Sequence, residues 1–560
     1  MKKTILQIAS LAVVLTLSSN VSNAQNQNNL GADCGCPPVN TRPTVDLSTL
    51  STNGVLNATN TVLTCNNNYL IKEKIYVDDN KSITINPGTV LLGRDLNNPG
   101  GGQASALVVQ RGGQIIAAGT PTCPIIFTAE EDITSDNILG NYNNNPGGVN
   151  GGKWGGLLVC GKAPNNLLTA PSSPNNDAGF QVAGQPAGTG APEGISNAEA
   201  DSRTWYGGSD PNDNSGIIRY VSVRHAGDII AAGNELNAIT LCSVGRGTTV
   251  DHIEVSSYAD DGVEVFGGTV NLKYVSLLWG DDDGLDYDQG WTGNVQFIFS
   301  LKRSTPGNAL SDNGIEADGD DNTTNVAQRS HPVIYNGTWI GTYENAGTAD
   351  NSGDAGFNFK ERTEGEVYNC IVANYERGVV IDKIKNSRPP ANTSDGSNEA
   401  YGNWQTGFPT SNTLQIKCNT FVNCSIPLAI ENNSVYTYNT LPADNSKFTA
   451  DNNVSVASLP SFDFAYTMDY TANTVSDKYD AIPDLVATTC STPSNGFFTA
   501  ANYRGAFEPG KKSWLSDWAI LNIVSATSGI VPCPTDVNTD GVTNNADFLQ
   551  LLGEFNQSCD

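Results

Sequence analysis

The sequence predicts an all-β fold, a right-handed parallel β-helix (a solenoid) followed by a small C-terminal helical calcium-binding module. The first observation is a repeat in which an acidic pair or an Asp-Asn pair and a glycine precede a short strand. Its best copies are Asp260–Phe266, Asp282–Asp288 and Asp312–Asp318. The second is the spacing, because Gly262 and Gly284 are 22 residues apart and Gly284 and Gly314 are 30 apart. The third is the composition, with 57 Gly and only 2 Met in 560 residues.

Each repeat has the length of one coil of a β-helix. An alternating strand such as Val295–Phe299 precedes the turn and another strand follows it, which is typical of a solenoid. Coils stack about 4.8 Å apart through hydrogen bonds between parallel strands, so equivalent residues form columns. Two apolar columns are predicted to face inward. They contain Val263, Leu285, Ile315 and Phe357, and Val265, Tyr287, Ala317 and Phe359. The glycine before each strand is expected to adopt backbone dihedrals that other residues disfavour.

The first 24 residues predict a signal peptide. Lys2 and Lys3 precede the apolar stretch 5–17, and small residues end at Ala24, as signal peptidase requires. The apolar stretch is too short to span a bilayer. We therefore expect a secreted protein, extracellular or on the cell surface, without a membrane span.

The predicted domains follow from these features. Residues 25–70 form an N-terminal extension and cap fixed by Cys34, Cys36 and Cys65, residues 71–530 form the β-helix with loop insertions, and residues 531–560 form the C-terminal module. Twelve cysteines in an exported chain predict disulfides. Cys533 and Cys559 are the expected pair of the module, whereas Cys160 and Cys242 fit either a disulfide or buried thiols.

The net charge of the chain excludes some partners. It is −28, which argues against nucleic acid and anionic membranes because both attract positively charged proteins. The same charge suits divalent cations. Ca²⁺ is the predicted cofactor because of the two ligand sets described next.

A calcium-binding loop is predicted near the C-terminus. Oxygen ligands fall at positions 1, 3, 5, 9 and 12 of an EF-hand-type loop, position 7 offers a backbone carbonyl, and Gly541 permits the sharp turn. The ligands are Asp536, Asn538, Asp540, Val542 (carbonyl), Asn544 and Asp547. The loop, which ends in Asp, resembles half of a dockerin, a calcium-dependent docking module. That resemblance implies contact with another surface protein through residues 531–560.

Acidic residues also form columns on the predicted coils. One column contains Glu264, Asp286 and Glu316, another contains Asp260, Asp282 and Asp312, and Asp288 should lie beside Asp318. Like charges at this spacing repel by on the order of 1 kcal/mol per pair, and bound calcium would offset the repulsion. The candidate ligands are Asp282, Asp283, Asp286 and Asp288. The alternative is structural, because Asp and Asn often cap backbone amides at corners.

Residues 75–385 resemble a widespread group of secreted bacterial β-helix proteins, many of them exported by the type IX system. The resemblance rests on Trp154–Cys160, Tyr206–Gly216 and the Asp-Asp-Gly series. It implies the fold. It implies no particular activity, because the group has no agreed one.

Two enzymatic functions compete with a binding function. A polysaccharide lyase would combine calcium with a basic residue such as Lys360 or Arg362, and a glycoside hydrolase would use paired carboxylates. The carboxylate candidates are Asp260 with Asp261 and Asp282 with Asp283. Because acidic pairs recur in successive coils, they resemble a structural repeat. The three histidines, His225, His252 and His331, form no recognisable triad, so no catalytic residue is assigned.

The sequence therefore favours a non-catalytic, calcium-binding adhesion, glycan-binding or structural protein of the cell surface. The alternative is a calcium-dependent lyase or glycoside hydrolase that acts on acidic polysaccharide. Aromatic residues near turns fit either stacking on sugars or packing of loops against the helix. They are Trp205, Tyr206, Trp279, Trp291, Tyr401 and Trp404.

Overall fold

The structure is a computed structural model that places about two thirds of the chain. It describes residues 30–94, 105–134, 137–138, 151–167, 180–195, 201–231, 234–302, 313–319, 328–341, 355–383, 399–408, 410–431, 438–460, 468–469, 474–475, 486–516 and 518–520. The predicted signal peptide and the predicted module of residues 531–560 lie outside the described residues. Among the described residues, no helix has the length and apolar character needed to cross a membrane.

Two sheets, parallel except for the pair Ser51–Thr52 and Val55–Leu56, wind around one apolar core, which confirms the predicted right-handed parallel β-helix. The described strands of the larger sheet are Thr44–Asp46, Asn60–Leu63, Asn68–Ile71, Ser82–Ile85, Val90–Gly93, Gln114–Ala118, Ile125–Ala129, Gly216–Arg224, Thr249–Ser256, Asn271–Leu278, Asn294–Leu301, Val333–Ile340, Gly365–Tyr368, Ile371–Ala373, Leu414–Lys417, Thr420–Val422 and Val454–Val456. Those of the second sheet, here called the turn-strand sheet, are Ser51–Thr52, Val55–Leu56, Lys74–Val77, Ala106–Val109, Leu157–Cys160, Ile239–Cys242, Val263–Phe266, Leu285–Asp288, Ile315–Ala317, Ala355–Phe359, Arg377–Asp382 and Ala429–Glu431.

Short hairpins and helices lie outside the two main sheets of the β-helix. The antiparallel hairpins pair Ile133–Thr134 with Asn137–Ile138, Phe180–Gln181 with Gly190–Ala191, Asp228–Ala231 with Asn234–Leu236, and Met468–Asp469 with Thr474–Val475. The α-helices described are Ala400–Trp404 and Pro442–Ala450, and the 3-10 helices are Ala32–Cys34, Val39–Thr41, Leu47–Leu50 and Glu130–Asp132.

The predicted inward columns are confirmed. Val263 pairs with Leu285, Leu285 with Ile315, and Ile315 with Phe357. The second column follows the same register through Val265, Tyr287, Ala317 and Phe359. All eight side chains are buried in one hydrophobic core. Removing these apolar surfaces from water is the main source of stability for the stack.

The long strands of the larger sheet bend at one residue in each coil. Tyr220, His252, Tyr274 and Phe297 have positive φ values of 47°, 50°, 57° and 60°, a region that non-glycine residues enter at a cost of about 1–2 kcal/mol each. Their rings stack outside the helix, with centroids 4.3 Å apart for each His252 pair and 5.0 Å apart for Tyr274 and Phe297. Ring stacking offsets part of the backbone strain.

Among the described residues, the last parallel strand is Val454–Val456, and a later segment covers the larger sheet from outside. We call residues 486–520 the C-terminal strap. Thr499 donates its amide to Gln296 over 2.7 Å, and the Trp518 ring meets the Tyr220 ring edge-on at 5.5 Å. The described residues of the strap, 486–516 and 518–520, contribute no strand to either sheet, and the predicted domain bounds, including 71–530 for the β-helix, stay predictions. The aromatic residues of the strap bury the outer face of the larger sheet.

Three disulfides are described. They join Cys34 to Cys123, Cys36 to Cys65, and Cys418 to Cys490. The first two involve Cys34, Cys36 and Cys65, the cysteines predicted to fix the N-terminal cap, and the third attaches the strap. Cys160 and Cys242 are buried thiols, one of the two predicted alternatives. Cys533 and Cys559 lie outside the described residues.

Candidate metal centre in the acidic turns

The candidate site lies in the turns that precede three strands of the turn-strand sheet, Ile239–Cys242, Val263–Phe266 and Leu285–Asp288. We call these turns the acidic turns. Because the strands pair in register, their polar residues form three columns. The first contains Asp260 and Asp282, the second contains Asn237, Asp261, Asp283 and Asn313, and the third contains Glu264, Asp286 and Glu316.

The second column caps the turns. Asn237 Oδ1 accepts the amide of Asp261 over 3.1 Å, and Asp261 Oδ1 accepts the amide of Asp283 over 2.9 Å. Asp283 accepts the amide of Asn313 in the same way. Corner capping, the structural alternative from the sequence, therefore operates at these positions. The cap occupies only Oδ1 of Asp261.

The glycines after this column serve close packing of the coils. A Cβ added to Gly262 would lie 2.8 Å from the carbonyl oxygen of Gly284, and one added to Gly284 would lie 2.7 Å from that of Gly314. Their φ values are outside the positive range. The expectation of unusual dihedrals was therefore wrong, because it is the next coil that excludes a side chain.

Seven carboxylates converge on the acidic turns. They form three groups whose oxygens lie within 4.8 Å of one another. The first group is Glu235, Asp260 and Asp282, the second is Asp261, Asp282 and Asp283, and the third is Asp261, Glu264 and Asp286. Of the four β-helix residues predicted as ligands, Asp282, Asp283 and Asp286 are thus brought together.

Asp288 lies outside these groups. It pairs in register with Phe266 and accepts a hydrogen bond from the amide of Gln289 over 2.5 Å. The register places it beside Asp318 as expected, since Asp318 donates its amide to the carbonyl of the preceding Tyr287. Asp312 lies outside the described residues, as do Asp536, Asn538, Asp540, Val542, Asn544 and Asp547, so the C-terminal calcium loop stays a prediction.

Burial and mutual repulsion make it costly to ionise these carboxylates together. Burial, followed by the field of neighbouring acids, raises the pKa of Asp282 to about 6. The same two causes hold the pKa values of Asp260, Asp261 and Glu264 well above their usual range. Glu193 is the largest electrostatic contributor for Asp260 and Glu264. Positive charge in the turns would let the acids ionise at neutral pH.

Two lysines border the acidic columns. The ammonium of Lys302 donates to the carbonyl oxygen of Asp282. Lys360, one of the two basic residues proposed for a lyase, pairs with Glu316 and lies 3.5 Å from Asp318, so it faces the acidic column. Burial lowers the pKa of Lys360, but Asp318 and Glu316 raise it further, so that it lies well above its ordinary value.

The donor set fits calcium. All seven side chains offer carboxylate oxygens, the hard ligands that Ca²⁺ accepts in numbers of six to eight. Asp286 Oδ1 is inaccessible to solvent and has no hydrogen-bond partner among the described residues. A buried oxygen without a partner is costly, and a cation would satisfy it.

Two site residues escaped the sequence analysis. Glu235 lies on the hairpin strand Asn234–Leu236, and Glu193 follows the short strand Gly190–Ala191. Both belong to insertions, where the repeat gives no register. The only signal in the sequence was the run of acidic turns that follows these insertions, because an acid that folds over those turns adds to their negative field.

The remaining candidates have structural contacts. Tyr206, Trp279, Trp291, Tyr401 and Trp404 are buried, so loop packing, the alternative to sugar stacking, accounts for them; Trp205 is half-buried. His225 is buried 4.0 Å from Asp132, and His331 pairs with Glu364 over 3.1 Å. His252 lies in the outer ring stack.

Comparison with known proteins identifies the family of this chain. Solved structures similar to this chain include an alginate lyase from Paenibacillus sp. str. FPU-7, with 11% identity and a TM-score of 0.26 over 66% of this chain and 91% of that one. They also include the surface protein and adhesin PfbA of Streptococcus pneumoniae, with 8% identity and a TM-score of 0.27 over 67% and 89%. No curated protein matches the sequence. Residues 54–401 match the family described as the pectate-lyase-like β-helix domain, and the chain belongs to that family.

Proposed function

We propose that this chain is a secreted or cell-surface protein that binds calcium in its acidic turns and uses the bound cation to recognise acidic polysaccharide without cleaving it. The observation that carries the proposal is the convergence of seven carboxylates, in groups no wider than 4.8 Å, with raised pKa values for Asp260, Asp261 and Glu264.

Calcium binding would explain why carboxylates that do not cap the turns also gather there. Capping occupies one oxygen of Asp261 and one of Asp283. In the third column, Glu264 and Glu316 accept side-chain amides of Asn237 and Asn313, but among the described residues neither the first nor the third column caps a backbone amide of the turns. Ca²⁺ tolerates irregular geometry and both monodentate and bidentate carboxylates. Mg²⁺ is less suited, because it demands near-octahedral geometry and gives up water reluctantly.

A bound cation would also explain how a strongly acidic protein can bind an acidic glycan. The chain carries a net charge of −28, which by itself repels a polyuronate. A calcium ion that keeps a coordination position open can accept a sugar carboxylate. Membership of the pectate-lyase-like family supports this substrate class.

The test is glycan binding with and without calcium. We expect the full chain to bind an acidic polysaccharide such as polygalacturonate in calcium, and to lose that binding in a chelator and in Asp282→Asn. Glu131→Gln, an exposed acid on the 3-10 helix Glu130–Asp132 that belongs to none of the three carboxylate groups, is the matched control. Equal binding by wild type and Asp282→Asn would contradict the proposal.

A second candidate is a calcium-dependent polysaccharide lyase, favoured by the position of Lys360 at the acidic column. A lyase base must be able to lose its proton, but Asp318 and Glu316 hold the pKa of Lys360 well above its usual value. Lys360 is therefore better suited to pair with a carboxylate. Release of unsaturated sugar from acidic polysaccharide, measured by ultraviolet absorbance, would favour the lyase.

Two further parts of the proposal concern the chain ends. We propose that residues 1–24 direct export, which agrees with the three disulfides of the folded chain because such bonds persist in oxidising compartments. We also propose that residues 531–560 bind calcium through Asp536, Asp540 and Asp547 and dock to another surface protein. Calcium titration of this module as a fusion to a soluble carrier would test the second part.

A further inference from the structure

We infer that the acidic turns hold two divalent cations, and that one of them fastens the hairpin Asp228–Leu236 to the coils. The inference rests on the proposed function, since it assumes that the turns bind cations. It adds the number of ions, their separate ligand sets and a mechanical role for one of them.

Two of the three carboxylate groups share no residue. The first group is Glu235, Asp260 and Asp282, and the third is Asp261, Glu264 and Asp286. The group between them, Asp261, Asp282 and Asp283, takes one member from each. This overlap suits two neighbouring ions bridged by Asp261 and Asp282.

The charge balance favours two ions over one. The first and third groups contain six carboxylates, and a single Ca²⁺ would leave most of that charge uncompensated. Each remaining pair of like charges about 4–5 Å apart costs several kcal/mol at the effective dielectric of a protein interior. Two ions supply twice the positive charge without moving either lysine.

Unsatisfied polar atoms in and beside the acidic turns point to a ligand there. Asp286 Oδ1 is closed to solvent and has no hydrogen-bond partner among the described residues. The hydroxyl of Tyr258 is equally without a partner, although the residue is fully buried. A Cβ on Gly262 or Gly280 would lie 3.1 Å or 2.1 Å from Tyr258 Cζ, so the hydroxyl end lies next to the acidic turns.

The two groups differ in what they would join. Asp261 and Glu264 come from one coil and Asp286 from the next. The first group also includes Glu235, which lies on an antiparallel hairpin that pairs only with itself among the described strands. An ion in the first group would therefore tie this insertion to two successive coils, whereas an ion in the third group would join coils alone.

The number of ions is tested by calcium stoichiometry on the full chain, measured by equilibrium dialysis after chelator treatment. We expect Glu235→Gln and Glu264→Gln each to lose one equivalent and the double variant to lose two. Glu131→Gln is the control, and the C-terminal loop adds the same background to every variant. If the double variant loses no more than either single variant, one shared ion is present and the inference fails while the proposed function stands. If no variant loses calcium, both fail.

The clamp is tested by hydrogen exchange of the hairpin amides. We expect calcium to slow exchange in Asp228–Leu236 by at least tenfold in wild type and in Glu264→Gln, but not in Glu235→Gln. Equal protection in the two variants would overturn the clamping role. The comparison separates clamping from general stabilisation, because both variants lose one carboxylate of the same turns.

Discussion

Asp261 Oδ1 accepts a hydrogen bond from the backbone amide of Asp283 over 2.9 Å, so that an acid of one coil caps the turn of the next. Asn237 does the same for Asp261. A carboxylate and an amide are therefore interchangeable as caps, but only the carboxylate adds charge. This difference separates the structural role of the second column from its role toward a cation.

Substitution of Asp261 should separate the two roles. We expect Asp261→Asn to keep the cap, and hence the stability of the cation-free protein, while it weakens calcium binding. Asp261→Ala should remove the cap as well and cost about 1–2 kcal/mol of unfolding free energy. Urea denaturation in a chelator measures the stabilities. Equal losses in the two variants would contradict a capping role.

The stability of the cation-free protein should depend on pH in an unusual direction. Burial and neighbouring acids raise the pKa of Asp282 to about 6 and hold the pKa values of Asp260 and Glu264 well above their usual range. The folded chain then binds more protons here than the unfolded chain, whose Asp pKa is about 4. The contribution of these groups is present below about pH 4 and is lost as the pH rises through their folded-state pKa values.

Calcium should remove this dependence. We expect the melting temperature in a chelator to fall from pH 5 to pH 7 relative to that in excess calcium. In the chelator the carboxylates ionise without a cation, which destabilises the folded protein, whereas bound calcium compensates their charge. Parallel pH profiles with and without calcium would argue against a cation in the turns. Asp282→Asn should shrink the difference between the profiles.

Lys360 should matter most when calcium is absent. Its ammonium pairs with Glu316 and Asp318, and the three side chains are only 10–21% exposed. Lys360→Met would remove the ammonium that faces two largely buried carboxylates, which we expect to cost about 2–4 kcal/mol. Denaturation in a chelator measures this loss. Arg329→Met is the control, since Arg329 faces Glu364 at 3.6 Å in a more exposed pair; an equal loss there would contradict the special role of Lys360.

The strap should depend on its disulfide. Cys490 joins Cys418 across 72 residues of chain, and a cross-link of that span contributes about 2–4 kcal/mol. We expect Cys490→Ser to expose residues 486–520 to limited proteolysis, with the β-helix core left resistant. Cys370→Ser, at a buried free thiol, controls for loss of a sulfur. Unchanged protection of the strap in Cys490→Ser would show that packing of residues such as Trp518 holds it without the cross-link.

The repeat alone determined the fold and the inward columns. Val263, Leu285 and Ile315 follow turns of one type, and a strand has a side-chain period of two, so one register suffices to place every neighbour. The same logic aligned Glu264 with Asp286 and brought Asp282, Asp283 and Asp286 into one candidate site. Local sequence determines such columns because each coil contacts mainly its neighbours.

Only the tertiary structure decided what lies outside the repeat. Glu235 joins the acidic turns from a hairpin insertion, and Ile520 donates its amide to Glu254, 266 residues earlier in the chain. It also revealed that the next coil, rather than a positive φ, requires glycine at position 262. Contacts across long stretches of chain depend on shape and loop paths, for which a sequence period carries no information, whereas the column of acids depends only on the repeat itself.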